Sequence, residues 1–146
     1  MDNIIHQTAN VSCQPEKVFP YFTQANRLTQ WLCVEANIEL KPGGLYELFW
    51  QPDDRENNST LGCRITALTP NQLIAFEWRS PQQFKHFANQ ADPLTHVSIS
   101  FIPNVEHTQI HLIHSGWRHN DDWEQARLWQ QQAWEIAFKN LSQCFK

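Results

Sequence analysis

The sequence predicts an α+β fold: a curved antiparallel sheet of about six to seven strands wrapped around a long C-terminal helix, with two short helices after the first strand. Three observations carry that prediction. Between Asp121 and Phe145, the residues Trp123, Ala126, Ala133, Trp134, Ala137, Phe138, Leu141 and Phe145 recur at helical spacing and define one apolar face. From Glu35 to His114 the apolar period falls to two, interrupted by turn residues. Between a weak first strand and that region lie two short helical patterns, the first opening at Pro15-Glu16.

In chain order, Ile4 to Ser12 reads as a first strand, with Ile5 and Val11 on one parity. Val18, Phe19 and Phe22 give the first helix its apolar side, and Pro20 should kink or break it because a proline cannot donate an internal helix bond. A second short helix over residues 25–32 places Leu28, Trp31 and Leu32 together. Pro42-Gly43-Gly44 is a turn, followed by alternating Tyr46, Leu48 and Trp50, with residues 51–60 as a loop. Leu61, Cys63, Ile65 and Ala67 then pair with Ile74, Phe76 and Trp78 across a turn at Thr69-Pro70-Asn71. That register sets Ile65 opposite Phe76, Cys63 opposite Trp78, and Arg64 opposite Glu77 on the outer face. Residues 80–93 form a connection. A last hairpin pairs Phe101 with Ile110, Ile99 with Leu112 and Val97 with His114. Asn120 or Asp121 is placed to cap the final helix, with Glu124 suited to its positive end. A one-sided sheet under an amphipathic helix buries both apolar faces, and strong curvature would leave a cavity between them.

The 146 residues read as one domain, 1–146, long enough for its own core. A net charge of −4 argues against a nucleic-acid partner, which would need clustered Lys and Arg. No apolar run is long enough to span a membrane, and the first residues lack a signal-peptide pattern. Cys13, Cys33, Cys63 and Cys144 are scattered without metal-ligand or redox spacing, which fits reduced thiols in a cytoplasmic protein.

The order of elements, with particular residues, resembles the START-like (SRPBCC, helix-grip) superfamily, and within it the activator of heat-shock-protein-90 ATPase homologue group. The matching residues are Pro15-Glu16-Lys17-Val18-Phe19, Trp31-Leu32, Pro42-Gly43-Gly44 before Tyr46, and Gly62 with Ile65. Leu73 to Trp78, Thr108 with Ile110 and Leu112, His114-Ser115-Gly116-Trp117, and Trp134 to Leu141 complete them. Gln14, Pro20 and a long 80–93 connection depart from the pattern. The resemblance implies an apolar cavity under the long helix and no fixed reaction, because this fold hosts carriers, enzymes and co-chaperones alike.

The expected ligand is a small apolar or amphipathic molecule, with no cofactor. The residues expected to shape its cavity are Trp31, Tyr46, Trp50, Phe76, Trp78, Phe101, Leu112, Trp117 and Trp134, with His114 as polar anchor. Tryptophans would also offer indole N–H donors. A stripe of aromatics is equally what a packed core needs, and an inward histidine is as readily a satisfied core residue. Two further functions stay open: a stress-related partner that stimulates a chaperone ATPase, and a cyclase- or hydrolase-type enzyme using His114. His107, His111, His114 and His119 do not share a face, so no metal site is expected. Leu45 and Phe49 fall on the outer face, where a homodimer contact or further packing would have to cover them.

Overall fold

A computed structural model describes residues 3–146. Among them the chain runs β1 (Ile5–Val11), α1 (Pro15–Val18), α2 (Pro20–Thr23), α3 (Ala25–Leu28), β2 (Glu35–Ile38), β3 (Tyr46–Phe49), β4 (Ile65–Thr69) and β5 (Leu73–Trp78). A 3-10 turn (Gln82–Phe84) and α4 (Lys85–Ala88) form the connection to β6 (Thr95–Asn104), β7 (His107–Ser115) and α5 (Asp121–Gln143). The fold is α+β, as expected. Its strands form two antiparallel sheets, one of five strands in the order β1-β7-β6-β5-β4 and one of β2 with β3. The bridge between Leu45 and Arg64, with Tyr46 N–H donating to Cys63 O and Ile65 N–H to Gly44 O, joins the sheets at β4.

Pro20 breaks the first helix into two turns. Having no N–H to lose, it opens α2 at the first helical position, where the orphan donor is missing anyway. The second short helix is a single turn, α3, followed by turns that carry Trp31 into the core. The β6–β7 register is the expected one, with Phe101 opposite Ile110, Ile99 opposite Leu112 and Val97 opposite His114. The β4–β5 hairpin is right at Ile65 and Phe76 and then departs. Ala67, two residues on, faces Ala75, so Thr66 is a bulge. One extra residue flips the parity beyond it, and Leu68 packs against the core in place of Ala67. At the other end β4 does not reach back to residue 61. Cys63 pairs with Tyr46 instead of Trp78, and Leu61 lies exposed.

On the outer face Arg64 lies opposite Glu77, as expected. The Glu77 carboxylate accepts the Arg64 backbone N–H at 2.9 Å while the guanidinium donates to Gly43 O at 2.8 Å. Phe49 is buried within the chain itself, its ring covered by the Arg55 guanidinium 4.3 Å from the centroid. The 39–45 turn tolerates no side chain at Gly44, where a Cβ would lie 2.1 Å from Glu39 O.

The core lies between the sheet and α5. The buried face of α5 is Trp123, Ala126, Gln130, Trp134, Ala137, Phe138 and Leu141. Asn120 caps it, accepting the Trp123 N–H at 2.9 Å. Phe138 meets Phe22 and Trp31 edge-on, and Trp134 meets Trp78 at 5.0 Å, so α5 is held by aromatic contacts from the short helices and from β5. No helix among the described residues is long and apolar enough to cross a membrane.

Candidate ligand-binding cleft

A cleft of about 490 Å³ lies on one side of α5, and a shallower, more polar depression of about 530 Å³ lies between α5 and β1. The cleft's volume falls within the range of small-molecule sites. Trp78, at the end of β5, and Trp134, on α5, are nearly fully buried and form part of its wall. Trp31 and Leu32 come from the turn after α3, and Trp50 from the end of β3. On α5 itself, Trp129, Ala133, Ile136, Ala137 and Asn140 lie at i, i+4, i+7, i+8 and i+11, a stripe bordering the packed face. The remaining wall is the 51–60 loop and the start of the connection, through Ser59, Arg79, Pro81 and Gln83. Trp129 is 40% and Ile136 62% exposed, so the rim carries apolar surface into solvent.

Polar chemistry in this wall is sparse. The indole N–H groups are mostly engaged: Trp31 donates to Tyr21 O at 2.8 Å, Trp50 to Leu32 O at 2.7 Å, Trp78 to Gln130 Oε1 at 3.2 Å and Trp134 to His114 Nδ1 at 3.1 Å. These four tryptophans therefore offer ring surface rather than donors. Gln130, buried in the apolar face of the helix, accepts through its oxygen from Trp78. Arg79 is the one charged residue of the wall among the described residues.

Of the ten residues expected at the site, Trp31, Trp50, Trp78 and Trp134 line the cleft. The other six lie in the packed interior. Tyr46 stacks on Phe76 at 3.9 Å and donates its hydroxyl to Phe22 O at 2.6 Å; burial pushes the phenol pKa well up. Phe101 packs edge-on against Phe19 and Phe22. Leu112 is buried between the sheet's neighbours, and Trp117 covers His114 at 4.7 Å.

His114 is a satisfied core histidine. It is fully buried, Nδ1 accepts from Trp134, and the remaining nitrogen, Nε2, must then carry the proton and donate to Thr95 Oγ1 at 3.0 Å. Burial, with a smaller contribution from His96, lowers its pKa to about 3, so it is neutral at physiological pH. With both nitrogens engaged and no cleft wall, it has no lone pair for a ligand or a substrate. The other histidines are scattered. His111 pairs with His6, His119 with Asn3, and His107 with the Val105 carbonyl. Among the described residues no three His, Cys, Asp or Glu side chains converge as metal ligands would.

From α5, sequence reasoning placed Trp134 in the site and missed the stripe beside it, Trp129, Ala133, Ile136, Ala137 and Asn140. The available signal was the pair Ala133 and Ala137, small residues interrupting a bulky stripe, with an aromatic, Trp129, at its border.

The family described as activator of Hsp90 ATPase homolog 1-like protein matches residues 12–146. No curated protein matches the chain significantly. Among solved structures, a protein from Mesorhizobium loti is similar with a TM-score of 0.76 and 20% identity, over 96% of this chain and 94% of that one. The Aha1 dimer from Colwellia psychrerythraea gives 0.72 and 15%, over 97% and 95%. An Hsp90 activator from Plasmodium falciparum gives 0.70 and 20%, over 94% and 92%. At these identities the likeness speaks for the fold alone.

Proposed function

Since the chain belongs to the activator of Hsp90 ATPase homolog 1-like family, we propose that it uses the helix-grip frame to bind a small apolar or amphipathic molecule in the cleft beside α5. The observation that carries this reading is a cleft of about 490 Å³ walled by five tryptophans, four of which spend their N–H groups on the protein. Ring faces held this way are pre-organised apolar surface, and filling them removes that surface from water. Trp31, Trp50, Trp78 and Trp134 are retained from the sequence-based site; Trp129, Ala133 and Ala137 join them. Tyr46, Phe76, Phe101, Leu112, Trp117 and His114 act behind the wall, holding the sheet face and the Trp134 ring in place. Native mass spectrometry of freshly purified protein tests the reading: a stoichiometric small molecule is expected to dissociate from it. A bare mass, with no response to added apolar probes, would refute it.

The family's description, and the Hsp90 activator among the structural neighbours, favour a second reading, stimulation of a chaperone ATPase. The exposed Trp129 and Ile136 at the cleft rim would then contact the chaperone. An assay with the cognate chaperone that shows no change in ATP turnover would remove it.

A further inference from the structure

Gln130 is a polar side chain on the packed face of α5, 4% exposed, at the edge where that face meets the tryptophan wall. Its Oε1 accepts the Trp78 indole N–H at 3.2 Å, and because an indole nitrogen can only donate, the orientation of the amide is fixed. Nε2 therefore carries both N–H donors of the side chain, and among the described residues it has no acceptor. Nor is it sealed in: the one fully enclosed side-chain atom left without a partner there is Arg79 Nε. Nε2 thus keeps accessible surface, and since Gln130 lines the cleft, that surface opens into it. The other neutral polar side chains of the wall differ. Asn58 accepts from the Gln82 N–H and donates to Gln51, and Ser59 donates to Arg55 O. Gln51, Gln83 and Asn140 are exposed to water. A donor pair held among tryptophan rings is costly unless an acceptor meets it.

We propose that the cleft takes a neutral carbonyl compound, its oxygen on the Gln130 amide and its apolar body along the tryptophan wall. The inference rests on the cleft being a binding site and adds the ligand's class. A carbonyl oxygen accepts through two lone pairs and brings no charge with it. A carboxylate would leave water without a free counter-charge, because Arg79 Nε is enclosed and Glu77 and Glu47 share the electrostatic surroundings of Arg79 around Cys63. At about 30 Å³ per water-sized group, the cleft of about 490 Å³ holds roughly sixteen such groups, enough for a bicyclic ketone or a medium-chain ester.

The test is equilibrium dialysis of the full chain against 2-acetylnaphthalene, 2-isopropenylnaphthalene and 2-naphthoate. The three share one ring system and outline; the head is a ketone, the same group with CH2 in place of oxygen, or an anion. In Gln130→Met the ketone should lose about fivefold or more in affinity, while the alkene changes by less than about twofold. The parent protein should bind 2-naphthoate more weakly than the ketone. Equal losses for ketone and alkene, or no loss for the ketone, would reduce Gln130 to a support for Trp78; either would overturn the inference and leave the cleft reading standing. Naphthoate binding as tight as the ketone's would overturn the neutral class. No binding of any probe would overturn both readings. Should Gln130→Met fail to fold, the Gln130 side-chain amide resonances of the unmodified protein decide. The ketone should move them and the alkene should not; equal shifts would refute the assignment.

Discussion

His114 shows what burial does to a titratable side chain. The folded protein holds the ring neutral down to about pH 3, whereas an unfolded chain protonates it near the ordinary value of 6.5. Between those values the unfolded state binds the extra proton. Stability should therefore be unaffected by this group above about pH 7 and fall by about 1.4 kcal/mol per pH unit as the medium is acidified below 6.5. Half-buried His96, also lowered, acts in the same direction. His114→Gln keeps hydrogen-bonding capacity and removes the titration, so its urea midpoints between pH 6 and 4 should lose about one proton's worth of slope; an unchanged slope would refute the account. Truncation is different in kind. His114→Ala strands the Trp134 N–H and opens a void, and should cost about 3 kcal/mol at neutral pH. Cysteines divide by the same physics. Burial pushes the thiols of Cys33 and Cys63 up to about 12, and both are buried, whereas Cys13 and Cys144 are half-exposed with smaller shifts. A thiol reagent at pH 8 should modify two cysteines in the native protein and four after denaturation.

Elements show which parts of the pattern were readable before the structure. The β6–β7 hairpin was legible because Val97, Ile99 and Phe101 alternate without interruption against Ile110 and Leu112, so one register alone buries both strands' apolar sides. The bulge at Thr66 was not. Ala67 continues the alternation on paper, and nothing in its type announces that Leu68 will take its place. The long helix was legible in its stripe and its cap. Asn120→Ala, removing the side-chain acceptor of the Trp123 N–H, should cost about 1 kcal/mol in urea denaturation. Helix content should change little, because α5 is fixed chiefly by its packed face. The division between core and cleft was the hard part. A tryptophan's type says that it wants burial, while its partners decide whether a neighbouring side chain or a void covers it, and those partners come from distant turns and loops.

At the scale of the whole molecule, the sheet, the short helices and α5 pack into a frame that is closed at His114 and open beside Ala133. The two ends can be perturbed separately. Ala133→Trp puts a large ring into the open end, and should abolish binding of an apolar probe such as 1-decanol while leaving stability within about 1 kcal/mol of the parent. Calorimetry of binding alongside a thermal melt checks both halves; intact binding with intact fold would place the site elsewhere. Occupancy should in turn stabilise the fold, by about 2.7 kcal/mol when free ligand is a hundredfold above its dissociation constant.

The engaged indole N–H groups carry a consequence for selectivity. A pocket that reads its guest through directed donors rejects analogues sharply, because each mismatch strands a buried polar atom. Trp31, Trp50, Trp78 and Trp134 have no such atoms left to strand. Lengthening, branching or flattening the guest's hydrocarbon portion then changes affinity only in the small steps set by contact area, about 1–3 kcal/mol per methylene at most. Under the proposed reading, such a wall would accept a range of related compounds, and discrimination would fall to the few polar groups at its edge.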